Sequence, residues 1–572
     1  MVTNRYNSNT EVSKGPASDS MGEGKSPVDK KAEQVIKRFE RLKSNRSNWE
    51  QVWQEVLKYV VPRKAWVTRR RETAGERTDD DLYDTTARRA NQVLAAGFHG
   101  NMTNPATKWF NLRLQNNELN KINEIKLWLA DSENKVLDVL NSSNFNEQIH
   151  EAYVDLGSVG TAVLLEEEDD VDIIRFTAVF IEEVVIDEDA NGRIRTVYRK
   201  FKMSAKAAFD LWGEERAGPK TLELMKNDKW DEKVTFLHGV QEREYRNPNS
   251  SRSVDMPFES VHVEVDSRMV IAEGGFNEFP YMVTRFNKVA GDVYGYSPGV
   301  ILLPDIKMVN AMAKTLLKAA QKIVDPPLVM PHDGFLLPLK TIPGGINYKL
   351  TGSKDDKIEP LETKGNIPVG RDMLNDYRTA IHNGYFTDLF MLLADRKNMT
   401  ATEVQERVAE KMVMLGPVIG RMQSEMLDPI ISRTFGILLR QGVLLPPPPA
   451  LEGRELVIEY VSPLALAQRR EAVTSVSSLL QMAAGVAQFI PDVIDKIDGD
   501  RVIDEAAEIF GVSPEIIRDG KQVAEIREQR AKQQQEMQQL QLAQAAIESD
   551  KTASESHKNM AEAEEMRNNA NS

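Results

Sequence analysis

The chain has 572 residues, 41% hydrophobic and 28% charged, a balance normal for a soluble globular protein and a length sufficient for several domains. It contains no cysteine, which excludes disulfides, thiolate catalysis and the common structural zinc sites. A formal net charge of -14 excludes the overall basic footprint of a DNA-wrapping protein, so any grip on nucleic acid has to come from local cations and stay weak.

Residues 1–28 are polar, rich in Ser, Gly and Asn and without periodicity, and are read as a disordered arm. They lack the apolar core of a signal peptide, and no window approaches the roughly 18 apolar residues of a membrane span. Synthesis and use, or assembly, in the cytoplasm is the expectation. From Asp29 to Val60 the pattern VIKRFERLKSNRSNWEQVWQEVLKYVV predicts one amphipathic helix stopped by Pro62. The basic run RKAWVTRRR (Arg63 to Arg71) and an acidic loop follow. A helix opens near Asp84, and two more cover residues 121–140 and 145–156.

The next part is β-rich, with TAVLLEEE, VDIIRFTAVF and EEVVIDE as short blocks bounded by charged turns. Val184 to Ile186 and Ile194 to Tyr198 flank Asn191-Gly192, a hairpin signal because both central residues tolerate positive φ. Further strands are expected at 233–243, 260–265 and 281–286. At YGYSPG (Tyr294 to Gly299) Ser297 can cap and Pro298 suits the first turn of a helix running to Val324. On that helix Lys307, Lys314, Lys318 and Lys322 share one face at about 100° per residue. Val309, Met312, Leu316, Ala320 and Ile323 occupy the opposite face. Taken alone, the lysine face is the wet side of an amphipathic helix.

A Pro/Gly-rich stretch to Gly370 leads to a second helix (371–393) and then a short polar loop carrying Arg396 and Lys397. A capping box, Thr400 with Glu403, opens a much longer helix in which Pro417 and Pro429 predict kinks. Past the stiff run Pro446 to Pro449 come helices at Ser462-Pro463, at 500–510 and at Ser513-Pro514. The tail is rich in Gln, Ala and Glu, with a thin apolar seam of Leu540, Ala543 and Ile547.

Motifs for chemistry fail on inspection. GEGKS (Gly22 to Ser26) has Asp19 where a phosphate-binding loop needs Gly, no strand before it, and Pro27 after it. Asp187 to Gly192 starts like a calcium loop, but the twelfth position is Tyr198, so it is read as the hairpin turn. EEEDDVD (Glu166 to Asp172) is read as a solvated turn, because adjacent carboxylates on a strand end do not converge on one ion. The seven histidines are scattered, with no HExxH, and no serine sits in GxSxG. Nothing here supports an enzyme.

Three blocks resemble the portal (head-to-tail connector) proteins of short-tailed bacteriophages. They are RRRETAGERTDDDLYDTTARRANQVLAAGFHGNMTNPATKWFNLRL (Arg69 to Leu114), VYGYSPGVILLPDIKMVNAM (Val293 to Met312), and the stretch from NMTATEVQERVAEKM (from Asn398) to VIEYVSPLALAQRR (to Arg470). The resemblance implies an α+β, mainly α portal fold that forms a dodecameric ring around a DNA channel at one capsid vertex. It implies a wing over 29–296, stem helix 1 over 297–324, a clip over 325–370 and stem helix 2 over 371–393. A tunnel loop over 394–400, the long kinked wing helix over 401–450 and a helical crown over 451–521 follow. Residues 522–572 are then a tail, helical or disordered.

Function follows from the resemblance as expectation. The ring is the channel for packaging and ejecting double-stranded DNA, held non-specifically and transiently. It docks the terminase large subunit, which hydrolyses ATP, and then tail adaptor proteins. It also contacts major capsid, scaffolding and internal core proteins, in the virion and not in a membrane. No cofactor and no metal are expected. Arg396 and Lys397 are the candidate DNA contacts of the loop, with Lys314, Lys318 and Lys322 as a second basic tier. The alternatives are another virion structural protein (internal core, scaffold or tail component), which has no reason to include a helix–clip–helix insertion, and an enzyme such as a nuclease, which would need convergent carboxylates or a nucleotide loop.

Overall fold

The computed structural model describes residues 27–69, 75–116, 119–250, 252–329, 348, 359–360, 367–391, 414–451, 456–461, 479–483, 497–510, 516–518 and 520–569. The expected arm, GEGKS, most of the clip region, the loop with Arg396 and Lys397, the capping box at Thr400 and the helix starts at Ser462 and Ser513 lie outside the described residues. The described chain is mixed α+β and mainly helical, as expected. It divides into two compact units. The first comprises residues 1–111, 132–446 and 458–467; the second comprises 112–131, 447–457 and 468–572.

The first unit starts with α1 (Pro27–Asn45) and α2 (Ser47–Val60). A single helix was expected there, but the chain turns a corner at Arg46 (φ -97°, ψ 7°). The buried Arg46 guanidinium donates to the carbonyls of Ile181, Glu182 and Val184 and to the Glu50 carboxylate. A cation taken out of water needs acceptors on this scale, and the corner brings it to the turn that supplies them. Then come α3 (Thr86–Met102) and α5 (Phe145–Val159), while β1 (Phe110–Leu114) and α4 (Asn123–Ser142) are divided between the two units.

The strands β2 (Thr161–Asp169), β3 (Ile173–Val179), β4 (Val184–Glu188) and β5 (Ile194–Ser204) lead to two helices that the sequence reading did not contain, α6 (Ala205–Arg216) and α7 (Pro219–Lys226). After them come β6 (Lys233–Glu242), β7 (Phe258–Glu264), β8 (Met269–Phe276) and β9 (Tyr281–Arg285). The strands β4 to β8 form one antiparallel sheet in chain order, and β3, β2 and β9 form a second with β2 in the middle. Helix α1 covers one face of the larger sheet through Ala32, Val35, Phe39 and Leu42 against Val185, Leu237 and Val263. The residues Ala205, Ala208 and Leu224 of α6 and α7 pack with Val234, Phe236 and Ile271 in a second cluster.

Two strand-region expectations are corrected. The turn at Asn191-Gly192 does join β4 and β5, but only Gly192 has positive φ (+76°). Its geometry is held by Asp189, whose side chain accepts from the Asn191 and Arg193 amides at 2.8 and 2.9 Å. The run Glu166 to Asp172 is not wholly a solvated turn. Its first four residues continue β2, and Glu166 is fully buried.

The expected helix after Ser297 is two helices, α8 (Pro298–Ile301) and α9 (Leu303–Val324). Ser297 caps as predicted, accepting from the Val300 amide at 2.9 Å. Pro304 falls in the first turn of α9, where its missing N–H costs least, so the helix restarts there. Helix α10 (Ile367–Gly384) begins four residues before the expected 371 and ends early, at the positive φ of Phe386 (56°), before the short α11 (Thr387–Met391). The helices α9 and α10 pack antiparallel. Gly384 lies against Leu302, where a Cβ would come within 2.5 Å, and Gly370 lies against Leu316.

Residues 414–422 are helical, a π-helical turn covers Gln423–Leu427, and α12 (Asp428–Arg440) completes the described part of the long helix. In the second unit, α13 (Gly499–Phe510) is tied to α14 (Gly520–Asn569) by two 2.7 Å bonds from Arg527 to Asp500. Helix α14 runs 50 residues, about 75 Å at ~1.5 Å per residue, and the residues with a described environment are exposed except Val523 and Ile526, which are half-buried.

Candidate nucleic-acid interface

The lysine face of α9 is the part of the expected site that the described residues contain. Its four lysines fall into two groups. Near the start of the helix, Lys307 donates to Glu55 of α2 at 2.5 Å. Two helical turns on, the Lys314 ammonium lies 5.0 Å from the centre of the Tyr83 ring, within cation–π range. Farther along, Lys318 and Lys322 are exposed and have no partner among the described residues. The opposite face is buried only in part. Val309 is buried and Met312 and Leu316 half-buried, while Ala320 and Ile323 are exposed.

What holds the first half of this face is an acidic segment just before α3, Asp79 to Asp84. Asn310, between Lys307 and Lys314 on the helix, uses both ends of its amide. The oxygen accepts from the Tyr83 and Asp84 backbone amides at 2.7 and 3.2 Å, and the nitrogen donates to the Asp81 carbonyl at 3.0 Å. Arg378 of α10 donates twice to Asp84, at 2.9 and 2.7 Å. The other Asp84 oxygen accepts from the Thr86 amide at 2.9 Å at the start of α3. Burial pushes the Asp84 carboxyl up, but the bonds from Thr86 and the Arg378 guanidinium outweigh it and leave the group below the usual carboxylate range. Lys58 of α2 donates to Asp81 at 3.1 Å.

Of the five residues expected to meet DNA, Lys318 and Lys322 are therefore open to solvent, Lys314 is engaged with Tyr83, and Arg396 and Lys397 lie outside the described residues. Sequence reasoning missed Lys58, Asn310 and Arg378. The available signal was DDDLYD (Asp79 to Asp84), a short acidic block that has to be neutralised by something, in the same chain as an uncompensated lysine face. The scattered histidines also come together. His238 and His262 are cross-strand neighbours on β6 and β7 with ring centres 4.0 Å apart; His238 is buried and His262 half-buried, and the stacked pair packs within the sheet.

The YGYSPG block is explained by the backing of this hairpin. Gly295 and Gly160 approach so closely that a Cβ on either would come within 2.3 Å of the other's carbonyl oxygen. Gly299 lies under the Tyr385 hydroxyl, and the Ser297 hydroxyl donates to the Ser158 carbonyl at 2.6 Å.

The family profile of bacteriophage head to tail connecting proteins matches residues 32–517 of this chain. The chain belongs to that family. Among curated relatives, a probable portal protein of Bordetella phage BPP-1 is 33% identical over 514 residues, 89% of this chain and 92% of that protein. The portal protein of Salmonella phage epsilon15 is 31% identical over 531 residues, 91% and 95% of the two chains. The connector described here is thus a phage portal protein, a structural virion component and not an enzyme. Among its described residues no helix is long and apolar enough to cross a membrane.

Proposed function

We propose that this connector assembles as a dodecameric ring at one capsid vertex and conducts double-stranded DNA during packaging and ejection. In this reading residues 297–324 and 371–393, which include α8, α9 and most of α10, are the stem, residues 325–370 between them the clip, and 394–400 a tunnel loop directed into the channel. Residues 29–296 and 401–450 form the wing and 451–521 the crown. The clip docks the terminase large subunit and later the tail adaptor proteins. The outer surfaces meet capsid, scaffolding and internal core proteins.

The observation that carries the reading is the antiparallel α9–α10 hairpin with two solvent-facing lysines, in a chain that matches connector proteins over most of its length. A conduit has to let DNA slide, so its contacts must be few and salt-sensitive. An acidic chain of net charge -14 with sparse exposed cations meets that requirement. Arg396 and Lys397 are assigned the loop contacts, and Lys318 and Lys322 the second tier, with Lys314 largely spent on Tyr83. The test is charge reversal in the phage. Arg396→Glu with Lys397→Glu should impair packaging or DNA retention while ring assembly persists. Normal packaging and retention in that double variant would overturn the assignment.

A further inference from the structure

The first half of the lysine face is covered by the chain's own side chains, Glu55 on Lys307 and the Tyr83 ring on Lys314. The backbone of the acidic segment is anchored independently of the Asp81 side chain, by the Asn310 amide and by the two bonds from Arg378 to Asp84. That leaves the exposed Asp81 carboxylate held in place beside cations. Asp81 accepts from Lys58 at 3.1 Å, and its carboxyl sits below the usual range because of Lys58 first and then Lys314, so both ammonium groups act on it.

We propose that Asp81 is a built-in screen that withholds Lys58 and, together with the Tyr83 ring, Lys314 from phosphate and limits the stem to Lys318 and Lys322. This rests on the reading of α9 as a DNA-facing helix and says how the weakness of that contact is set. Phosphate oxygens and aspartate oxygens compete for the same ammonium groups. A carboxylate fixed beside the lysine by backbone anchors is present at high local concentration and pays no association cost. Each phosphate contact adds about 0.9 to the slope of log affinity against log salt. Removing the screen therefore has a signature in the slope as well as in the affinity.

The experiment measures binding of the purified full-length protein to a double-stranded DNA fragment across a series of salt concentrations. D81N should bind several-fold more tightly, with a slope steeper by about one. K58Q/K314Q in the wild-type background should leave binding unchanged, because those cations are already withheld. Added to D81N, it should cancel the gain. An unchanged slope in D81N, or a gain that survives K58Q/K314Q, overturns the screen. K318Q/K322Q tests the underlying reading separately. If it leaves DNA binding intact, α9 does not face DNA, whatever the acidic segment does.

Discussion

Glu425 grips Arg285 from a π-helical turn. The Asp428 amide donates to the Gln423 carbonyl, five residues back, and Pro429 follows at once. In a regular α-helix the Pro429 ring would collide with the carbonyl four residues earlier, at Glu425. The wider turn removes that clash and aims Glu425 at β9. There it accepts from the Arg285 guanidinium at 2.6 Å and from the Arg285 backbone amide at 2.9 Å. Arg285, 2% exposed, also donates to Glu188 at 2.9 Å and to the Gly192 carbonyl at 3.0 Å. The π-helical turn before Pro429 thus has a structural role, fixing this helix to the strand beneath it.

Glu425→Ala leaves the buried Arg285 cation short of a partner. The expected loss is about 3 kcal/mol, the low end for breaking a buried pair because Glu425 keeps some contact with water. Urea or thermal unfolding reads it directly. A loss below about 1 kcal/mol, as for a surface pair, would contradict the role given to this contact.

Much of this fold was legible because local rules and tertiary packing agree. Ser297 caps and Pro298 starts a helix, as their chemistry requires. What was not legible depends on distant partners. Asp84 and Arg378 are 294 residues apart, and no periodicity links them. The corner at Arg46 exists because the 181–184 turn offers it carbonyls. Strand β8 was not expected at all; it carries Gly274-Gly275 before its last residue, Phe276, and a Cβ at Gly275 would come within 2.4 Å of the Ser253 carbonyl oxygen. The candidate site was half legible. The lysine spacing was visible in the sequence, whereas the Tyr83, Asn310 and Asp81 contacts that divide the four lysines were not.

Glu166 gives an alkaline signature. Burial raises its carboxyl to about 8, against the Arg433 guanidinium and the bond from Thr434 at 2.8 Å. The folded state therefore holds this proton between roughly pH 4.5 and 8 while the unfolded chain releases it. Its contribution to stability is complete below about 4.5 and is lost as pH rises through about 8. Glu166→Gln should flatten that decline, so melting temperatures of the two proteins should diverge from pH 5 to 8. Parallel curves would contradict the protonated state.

The His238–His262 pair acts at the other end of the scale. Burial, and then the Arg199 cation, lowers His262 to about 4; burial, His262 and Arg199 keep His238 well below its ordinary value. His238 meets Tyr281 and Ser260 at 2.9 and 3.0 Å. Because both folded values are depressed, stability is full above about 6.5 and falls as pH drops toward 4. His262→Phe keeps a stacked ring and should reduce this acid sensitivity. An unchanged acid melting profile would show that the pair does not set it.

Gly160 and Gly442 separate two costs. Both have positive φ, +83° and +71°, but only at Gly160 would a Cβ meet another backbone, 2.3 Å from the Gly295 carbonyl oxygen. Gly442→Ala should cost about 1 kcal/mol, the penalty for an L residue in that conformation. Gly160→Ala should cost clearly more, because two backbones would have to separate and carry the YGYSPG turn with them. Equal losses in unfolding experiments would mean that the close approach is not rigid.

The ring proposed for this chain is tested by electron microscopy of the purified full-length protein. Closed rings with a central hole wide enough for duplex DNA are expected. Monomers or smooth filaments under conditions where the protein is folded would contradict it.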